Sequence, residues 1–302
     1  MPSLTLHPGK ALHDPKQLAL RFEQQGYITE PALATAIFLA VSLAKPLLLE
    51  GHAGLGKTEV AKTLASMLDT RLIRLQCYEG LDVNSAVYEW NYQKQLLAIK
   101  IEERSGVSIE EKEKHIFSRE FLMERPLLQA IQEKEVSPVL LVDEVDRADE
   151  AFEAFLLELL SDYQISIPEL GTVTAKHPPL VILTSNRSRE LGDALKRRCL
   201  YHWIEYPSLE KEMKIVAARL PGIKAEFERQ IVGFVQNVRR LNLVKAPGVA
   251  ETLDWAQALS LLGKNRVDPE SVEETLGCLS KSMEDAAKIK AAGIQKMLTE
   301  VG

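Results

Sequence analysis

The chain has 302 residues, 46% of them apolar and 26% charged, enough for one large α/β domain beside a smaller one. A net charge of −6 and a pI near 5.7 exclude a globally basic nucleic-acid-binding surface. The odd set Cys77, Cys199 and Cys278, without CxxC spacing, excludes a disulfide framework and suits a reducing, cytoplasmic setting.

Asp14-Pro15, followed by Leu18, Leu20 and Phe22 and closed by Gly26, predicts a capped amphipathic helix; Thr29-Glu30-Pro31 opens a second, more apolar one. The run Ala32 to Ala44 is too short to span a bilayer and ends at Lys45-Pro46, so it reads as a buried core helix, and neither a membrane span nor a signal peptide is expected. Pro46-Leu47-Leu48-Leu49-Glu50 is a strand. Directly after it come Gly51, His52, Ala53, Gly54, Leu55, Gly56, Lys57 and Thr58, then Glu59 and a helix to Leu68. Strand, glycine-rich turn and helix together form a phosphate-binding loop. Gly51, Gly54 and Gly56 let successive N–H groups point inward, Lys57 reaches the β- and γ-phosphates, and the Thr58 hydroxyl ligates Mg²⁺.

A strand around Leu72 to Leu75 precedes a long mixed segment. Within that segment, Arg104 to Arg119 is so charged that an exposed loop is predicted. The apolar run Val139 to Val142 ends in Asp143-Glu144, at the carboxyl edge where open α/β sheets bind ligands. Beside a phosphate loop, Asp143 suits Mg²⁺ and Glu144 suits the attacking water; without one, the pair would merely cap the next helix, Asp149 to Leu160. Gln164 to Ala175 alternates around Glu169-Leu170-Gly171 and predicts a hairpin.

The strand Leu180 to Thr184 ends in Ser185-Asn186, whose amide could bond both a γ-phosphate and a water; a plain turn residue is the alternative. Asp193 to Cys199 is a short helix with a basic tip. After Tyr206-Pro207 the strands stop, and Leu209 to Leu220, Lys224 to Leu241, Val249 to Leu262 and Ser271 to Met297 all show helical periodicity. Strands alternating with helices predict a parallel sheet covered on both faces, over residues 1–207, followed by an all-helical domain over 208–302. The six histidines lack ligand spacing, so no structural metal is expected.

This order of parts resembles the AAA+ ATPases, whose α/β fold sandwiches a parallel sheet between helices and adds a smaller helical lid. The segments Arg74 to Asp82, Tyr88 to Tyr92, Phe155 to Asp162 and Pro247 to Trp255 resemble the MoxR group and, within it, the CoxD-type branch, accessory ATPases of carbon monoxide dehydrogenase and related molybdenum hydroxylases. The resemblance runs from about Gly26 to Gly277. It implies ATP and Mg²⁺ as ligands, Gly51 to Glu59 as the nucleotide-binding stretch, Lys57 and Thr58 in the Walker A roles and Asp143 and Glu144 in the Walker B roles. Asn186 takes the sensor-1 role, and Arg198 is the arginine finger that enters a neighbouring subunit's site, with Arg197 a weaker candidate. The Gln164 to Ala175 hairpin corresponds to the pre-sensor hairpin. Tyr78 to Tyr92 corresponds to an insertion facing a ring's pore, although Tyr78, Tyr88, Trp90 and Tyr92 read equally well as core aromatics.

The resemblance further implies a homohexameric ring, a partner with a von Willebrand factor A domain and a metalloenzyme client in the cytoplasm. One feature departs from it: no arginine lies near Pro247 to Glu251, where a sensor-2 arginine belongs, leaving Lys245 or Glu251 as stand-ins. A competing reading is a nucleic-acid motor or loader contacting its target through Lys196-Arg197-Arg198, Arg239-Arg240 and the aromatic segment; the acidic pI disfavours it. A small-molecule kinase lacks an evident acceptor pocket.

Overall fold

The computed structural model describes residues 3–102 and 108–300. In chain order, α1 (Pro15–Gln24) and α2 (Pro31–Leu43) precede β1 (Leu47–Gly51), α3 (Lys57–Leu68) and β2 (Leu72–Gln76). Then come α4 (Val83–Val87), β3 (Tyr88–Trp90), α5 (Tyr92–Glu102), α6 (Ile109–Ile116), β4 (Leu122–Glu124), α7 (Pro126–Ile131) and β5 (Val139–Asp143). The α/β part closes with α8 (Glu150–Asp162), the hairpin β6 (Gln164–Ile167) and β7 (Gly171–Thr174), β8 (Leu180–Ser185), α9 (Asp193–Arg198) and β9 (Leu200–Ile204). From there the chain is helical: α10 (Leu209–Arg219), α11 (Ala225–Arg239), α12 (Val249–Leu261), α13 (Pro269–Leu279), α14 (Met283–Ala292) and α15 (Ile294–Thr299).

Five strands form one sheet in the order β2-β5-β8-β1-β9, and the β2–β5, β5–β8 and β8–β1 pairs are parallel. Every residue of β1, β5 and β8 is buried, as a sheet covered on both faces requires, whereas edge strand β2 alternates. This is an α/β fold with a helical C-terminal region. The strand order sets the carboxyl ends of β5, β8 and β1 side by side, with Glu50 in register with Ser185 and Asp143 one residue beyond the Val142–Leu183 pair. Among the described residues no helix is long and apolar enough to cross a membrane.

The chain divides into two compact units: residues 1–18, 31–50 and 61–202, and residues 19–30, 51–60 and 203–302. In the first, Leu140, Val142, Leu156, Leu159 and Leu183 pack with Phe152. Helix α8 starts where the Asp149 carboxylate accepts the Phe152 N–H (2.8 Å) and ends at Tyr163, whose hydroxyl donates to the Ala44 carbonyl (2.5 Å). In the second unit, Phe234 and Trp255 lie together in a fully buried helical core.

A bidentate ion pair sits at the edge of that helical core. Arg239 Nη1 and Nη2 lie 2.5 and 2.7 Å from the Glu212 carboxylate, both side chains are buried, and Thr252 and Gln236 donate to the same carboxylate. Arg239 Nε also donates to the Pro247 carbonyl (2.7 Å), and its guanidinium covers the Tyr206 ring. Arg239 is therefore unavailable to a nucleic acid, which corrects the surface assigned to Arg239-Arg240. Replacing Arg239 by alanine strands the Glu212 charge in a dry interior, so about 3–5 kcal/mol of stability should be lost; a lowered midpoint in urea denaturation checks this.

Three expectations about local structure change. Residues 109–116 are not loop but the exposed helix α6, started by a reciprocal cap between Ser108 and Glu111. Acidic residues in its first turn and basic ones in its last complement the helix dipole, and none of its residues is buried. Arg104-Ser105-Gly106 lies outside the described residues. Ser271 to Met297 is three helices rather than one, interrupted where Ser282 caps α14 and where Gly293 turns at φ 87°. The aromatic segment divides: Trp90 packs edge-on against Tyr88 and Phe117, while Tyr78 and Tyr92 are exposed.

Candidate nucleotide-binding and hydrolysis site

The loop that leaves β1 takes the backbone its glycines allow, with φ of 76° at Gly54 and 81° at Gly56. A side chain on Gly54 would do more than strain the turn: its Cβ would lie 2.8 Å from Glu251 Oε2 and 3.3 Å from the Gly248 Cα. Gly248 is matched to it, since a Cβ there would meet the Ala53 carbonyl at 2.7 Å. The Ala250 N–H donates to the Gly54 carbonyl (3.0 Å), and Glu251 accepts the Gly248 N–H (2.9 Å) at the start of α12. The segment expected to carry a sensor-2 arginine is thus a backbone brace for the phosphate loop. Glu251 is spent on capping, and Lys245 is exposed with its N–H on Asp285.

Lys57 is buried, its ammonium donating to the Gly51 and His52 carbonyls at 2.7 and 2.6 Å, so it points back across the loop's mouth. His52 is exposed and stacks on Tyr206, and Leu55 is buried. Next to Gly54, Leu55 and Gly56 opens a cavity of about 480 Å³, in the size range of small-molecule sites. Its walls are Tyr27 and Ile28 from the α1–α2 link, Ile215 and Arg219 from α10, and Leu253 and Gln257 from α12. Burial pushes the Tyr27 phenol well above its ordinary range, so it stays neutral. Arg219 pairs with Glu59 at 2.8 Å and Lys211 with Glu30 at 2.8 Å; these α10 residues are the lid cations that line the cavity. An apolar-lined cavity of this size with a few polar groups, next to Gly54 to Gly56, has the chemistry to take a nucleobase. Valine at Gly54 should weaken nucleotide binding about 10- to 100-fold through backbone strain and the clash with the α12 brace; titration with a fluorescent ATP analogue measures it.

At the end of β5, Asp143 is 3% exposed; its Oδ1 accepts the Thr184 hydroxyl (2.5 Å) and its Oδ2 lies 2.6 Å from the Arg74 guanidinium. Glu144 sits in the left-handed region at φ 54°, a conformation that turns its side chain out of the strand's path. Its N–H donates to Thr184 Oγ1 (2.9 Å), and its Oε1 accepts the Asn186 side-chain amide (3.3 Å). Asn186 is itself held by its N–H on Asp146 (3.2 Å). The structure therefore joins Asp143 to Glu144 through Thr184, a residue whose part the sequence did not disclose, and Asn186 to Glu144 through its own amide.

The same carboxylates act on Cys77, which lies over them with its N–H on the Asp143 carbonyl (2.8 Å). Burial first, then the charges of Asp143, Asp146 and Glu144, push its thiol up to about 12. Burial pushes Cys199 up to about 12 as well, against the pull of Arg198. At pH 8 about one such thiol in 10⁴ is thiolate, so both should resist iodoacetamide until the protein is unfolded, as peptide mass spectrometry would show.

Arg198 ends α9 on the surface, with Nε on the Ser161 hydroxyl (2.5 Å) and Nη1 on the Ala194 carbonyl (3.1 Å). Both Arg198 and Arg197 are exposed.

No curated protein matches the sequence at a significant level. Among solved structures, the Thermotoga maritima RuvB Holliday junction branch migration motor is similar at 18% identity, over 87% of this chain and 67% of that one, with a TM-score of 0.46. A provisionally named ATPase of Cytophaga hutchinsonii is similar at 15% identity over 95% of this chain and 94% of that one, with a TM-score of 0.49. The family model for the AAA domain of the dynein-related subfamily matches residues 46–199, from the strand before the phosphate loop to the residue after Arg198. Over half its length, and across the loop, the carboxylate strand, the asparagine strand and the basic tip, this chain belongs to that AAA family, and it is an AAA+ ATPase.

Proposed function

We propose that this protein is an ATP-hydrolysing chaperone of the MoxR group, CoxD-type branch, that works as a homohexameric ring. The observation that carries the hydrolytic part is the Glu144 carboxylate held on the Asn186 amide at 3.3 Å beside the buried Asp143. In that reading the 480 Å³ cavity takes the adenine, and the Gly51 to Gly56 backbone and Lys57 take the phosphates. Thr58 and Asp143 would hold Mg²⁺; a hydroxyl and a carboxylate are the hard oxygen donors this ion takes, and when bound it neutralises phosphate charge. Glu144 accepts the proton of the attacking water, Asn186 orients that carboxylate, and Arg198 stabilises the transferring phosphoryl group in the neighbouring subunit.

The client is a metalloenzyme, a molybdenum hydroxylase such as carbon monoxide dehydrogenase, opened for maturation together with a partner bearing a von Willebrand factor A domain. This part is supported by the branch-like segments Arg74 to Asp82, Phe155 to Asp162 and Pro247 to Trp255. A tagged Glu144→Gln protein, held on ATP in its native cells, should co-purify such a partner or client. Recovery of nucleic acid with replication or repair proteins would overturn the assignment in favour of a motor or loader.

A further inference from the structure

Glu50 is a buried carboxylate, 5% exposed, in the last turn of chain before the phosphate loop, and none of the roles above uses it. It lies on β1, the strand flanked by β8 on one side and β9 on the other. Its carboxylate spans both neighbours. Oε1 accepts the hydroxyl of Ser185, its register partner on β8, at 3.2 Å. Oε2 accepts the Tyr201 hydroxyl from β9 at 3.1 Å and lies 4.0 Å from the Arg187 guanidinium.

Ser185 and Arg187 bracket Asn186. The Ser185 hydroxyl that donates to Glu50 also accepts the Arg187 N–H at 3.1 Å, and Arg187 sits in the left-handed region at φ 57°, where a long side chain is strained. On the other side of Asn186, Asp146 accepts the N–H groups of Asn186 and Ser188 and the Ser188 hydroxyl. The turn from Ser185 to Ser188 is therefore gripped by two buried carboxylates. Asp146 holds the N–H groups of Asn186 and Ser188, and Glu50 holds the hydroxyl and the cation that keep Arg187 in its strained conformation. A buried charge is retained at this cost only if its partners are fully engaged.

We propose that Glu50 is a positioning residue for Asn186: it fixes the Ser185–Arg187 turn and thereby aims the Asn186 amide at Glu144. The assignment rests on the hydrolytic reading of Glu144 and Asn186. Glutamine at position 50 keeps the volume and one acceptor but removes the charge that faces Arg187, so the turn should loosen while β1 stays packed.

Hydrogen exchange tests the grip without reference to activity. In Glu50→Gln, amides from Asn186 to Ser188 should exchange about tenfold faster, the factor expected for a local opening eased by one charge-assisted hydrogen bond, while those of Val139 to Asp143 keep their protection. Tyr201→Phe, which removes only one donor to Glu50, should show the same pattern more weakly. ATP turnover then tests the consequence: Glu50→Gln should lower kcat with nucleotide affinity unchanged, and the double variant with Asn186→Ala should be no slower than Asn186→Ala alone. Unchanged exchange at 186–188, general loss of protection across the sheet, or additive losses in the double variant would overturn the proposal. If the wild-type protein hydrolyses no ATP, the hydrolytic reading falls, and the exchange result still decides whether Glu50 holds the turn.

Discussion

Glu144→Gln should bind ATP with wild-type affinity and hydrolyse it roughly 10²- to 10⁴-fold more slowly, the range associated with losing a positioned general base. The substitution is nearly isosteric. A glutamine carbonyl can still accept the Asn186 amide that now meets Oε1 at 3.3 Å, and the backbone N–H of residue 144 keeps its bond to Thr184. What disappears is the ability to take a proton from water. The groups proposed to grip a nucleotide, the Gly51 to Gly56 backbone, Lys57 and the cavity lined by Tyr27 and Leu253, belong to other parts of the chain, so affinity should not follow turnover. Equilibrium titration and single-turnover hydrolysis separate the two; normal turnover by the variant would remove Glu144 from the base role.

Arg198→Ala should lose about 10³- to 10⁵-fold in turnover, the value of an arginine finger supplied by a neighbour in other phosphate-loop enzymes, again without loss of nucleotide affinity. Arg198 is exposed, as a group that reaches a second subunit must be. Its guanidinium is pinned on Ser161 and Ala194, so little side-chain freedom remains to be lost when a second subunit docks. Those two bonds are on the surface, so their removal should leave stability nearly unchanged. A fall in affinity or melting temperature comparable with the fall in rate would mean that Arg198 supports its own subunit instead.

The sheet was legible because its strands are short apolar runs bounded by turn residues, and the phosphate loop because glycine spacing, Lys57 and Thr58 carry their chemistry in sequence order. The places of Asp143, Glu144 and Asn186 were readable for the same reason: each stands at or just past the end of such a run. The rest depends on contacts between distant segments. Nothing local to Thr184 says that its hydroxyl will join Asp143 to Glu144, and nothing at Glu50 says that Ser185 and Tyr201 will close on it from both sides. Tyr27 and Gln257 become walls of one cavity only when the α1–α2 link and α12 meet the loop. Gly248 illustrates the limit well: in sequence it is a helix-starting glycine, and only the structure shows that it is small because Gly54 and Ala53 press against it. Charge misled in two places, since the Glu110 to His115 run forms a capped surface helix and Arg239, one of a basic pair, is buried on Glu212.

The central claim is that catalysis joins Glu144 of one subunit to Arg198 of the next, and mixing the two inactive variants tests it directly. In an equimolar mixture of Glu144→Gln and Arg198→Ala, a site with intact Glu144 can face a neighbour with intact Arg198. Random assembly makes about one site in four such a pair, so ATPase activity should return to about a quarter of the wild-type rate. No recovery from a mixture shown by crosslinking to co-assemble would contradict the account.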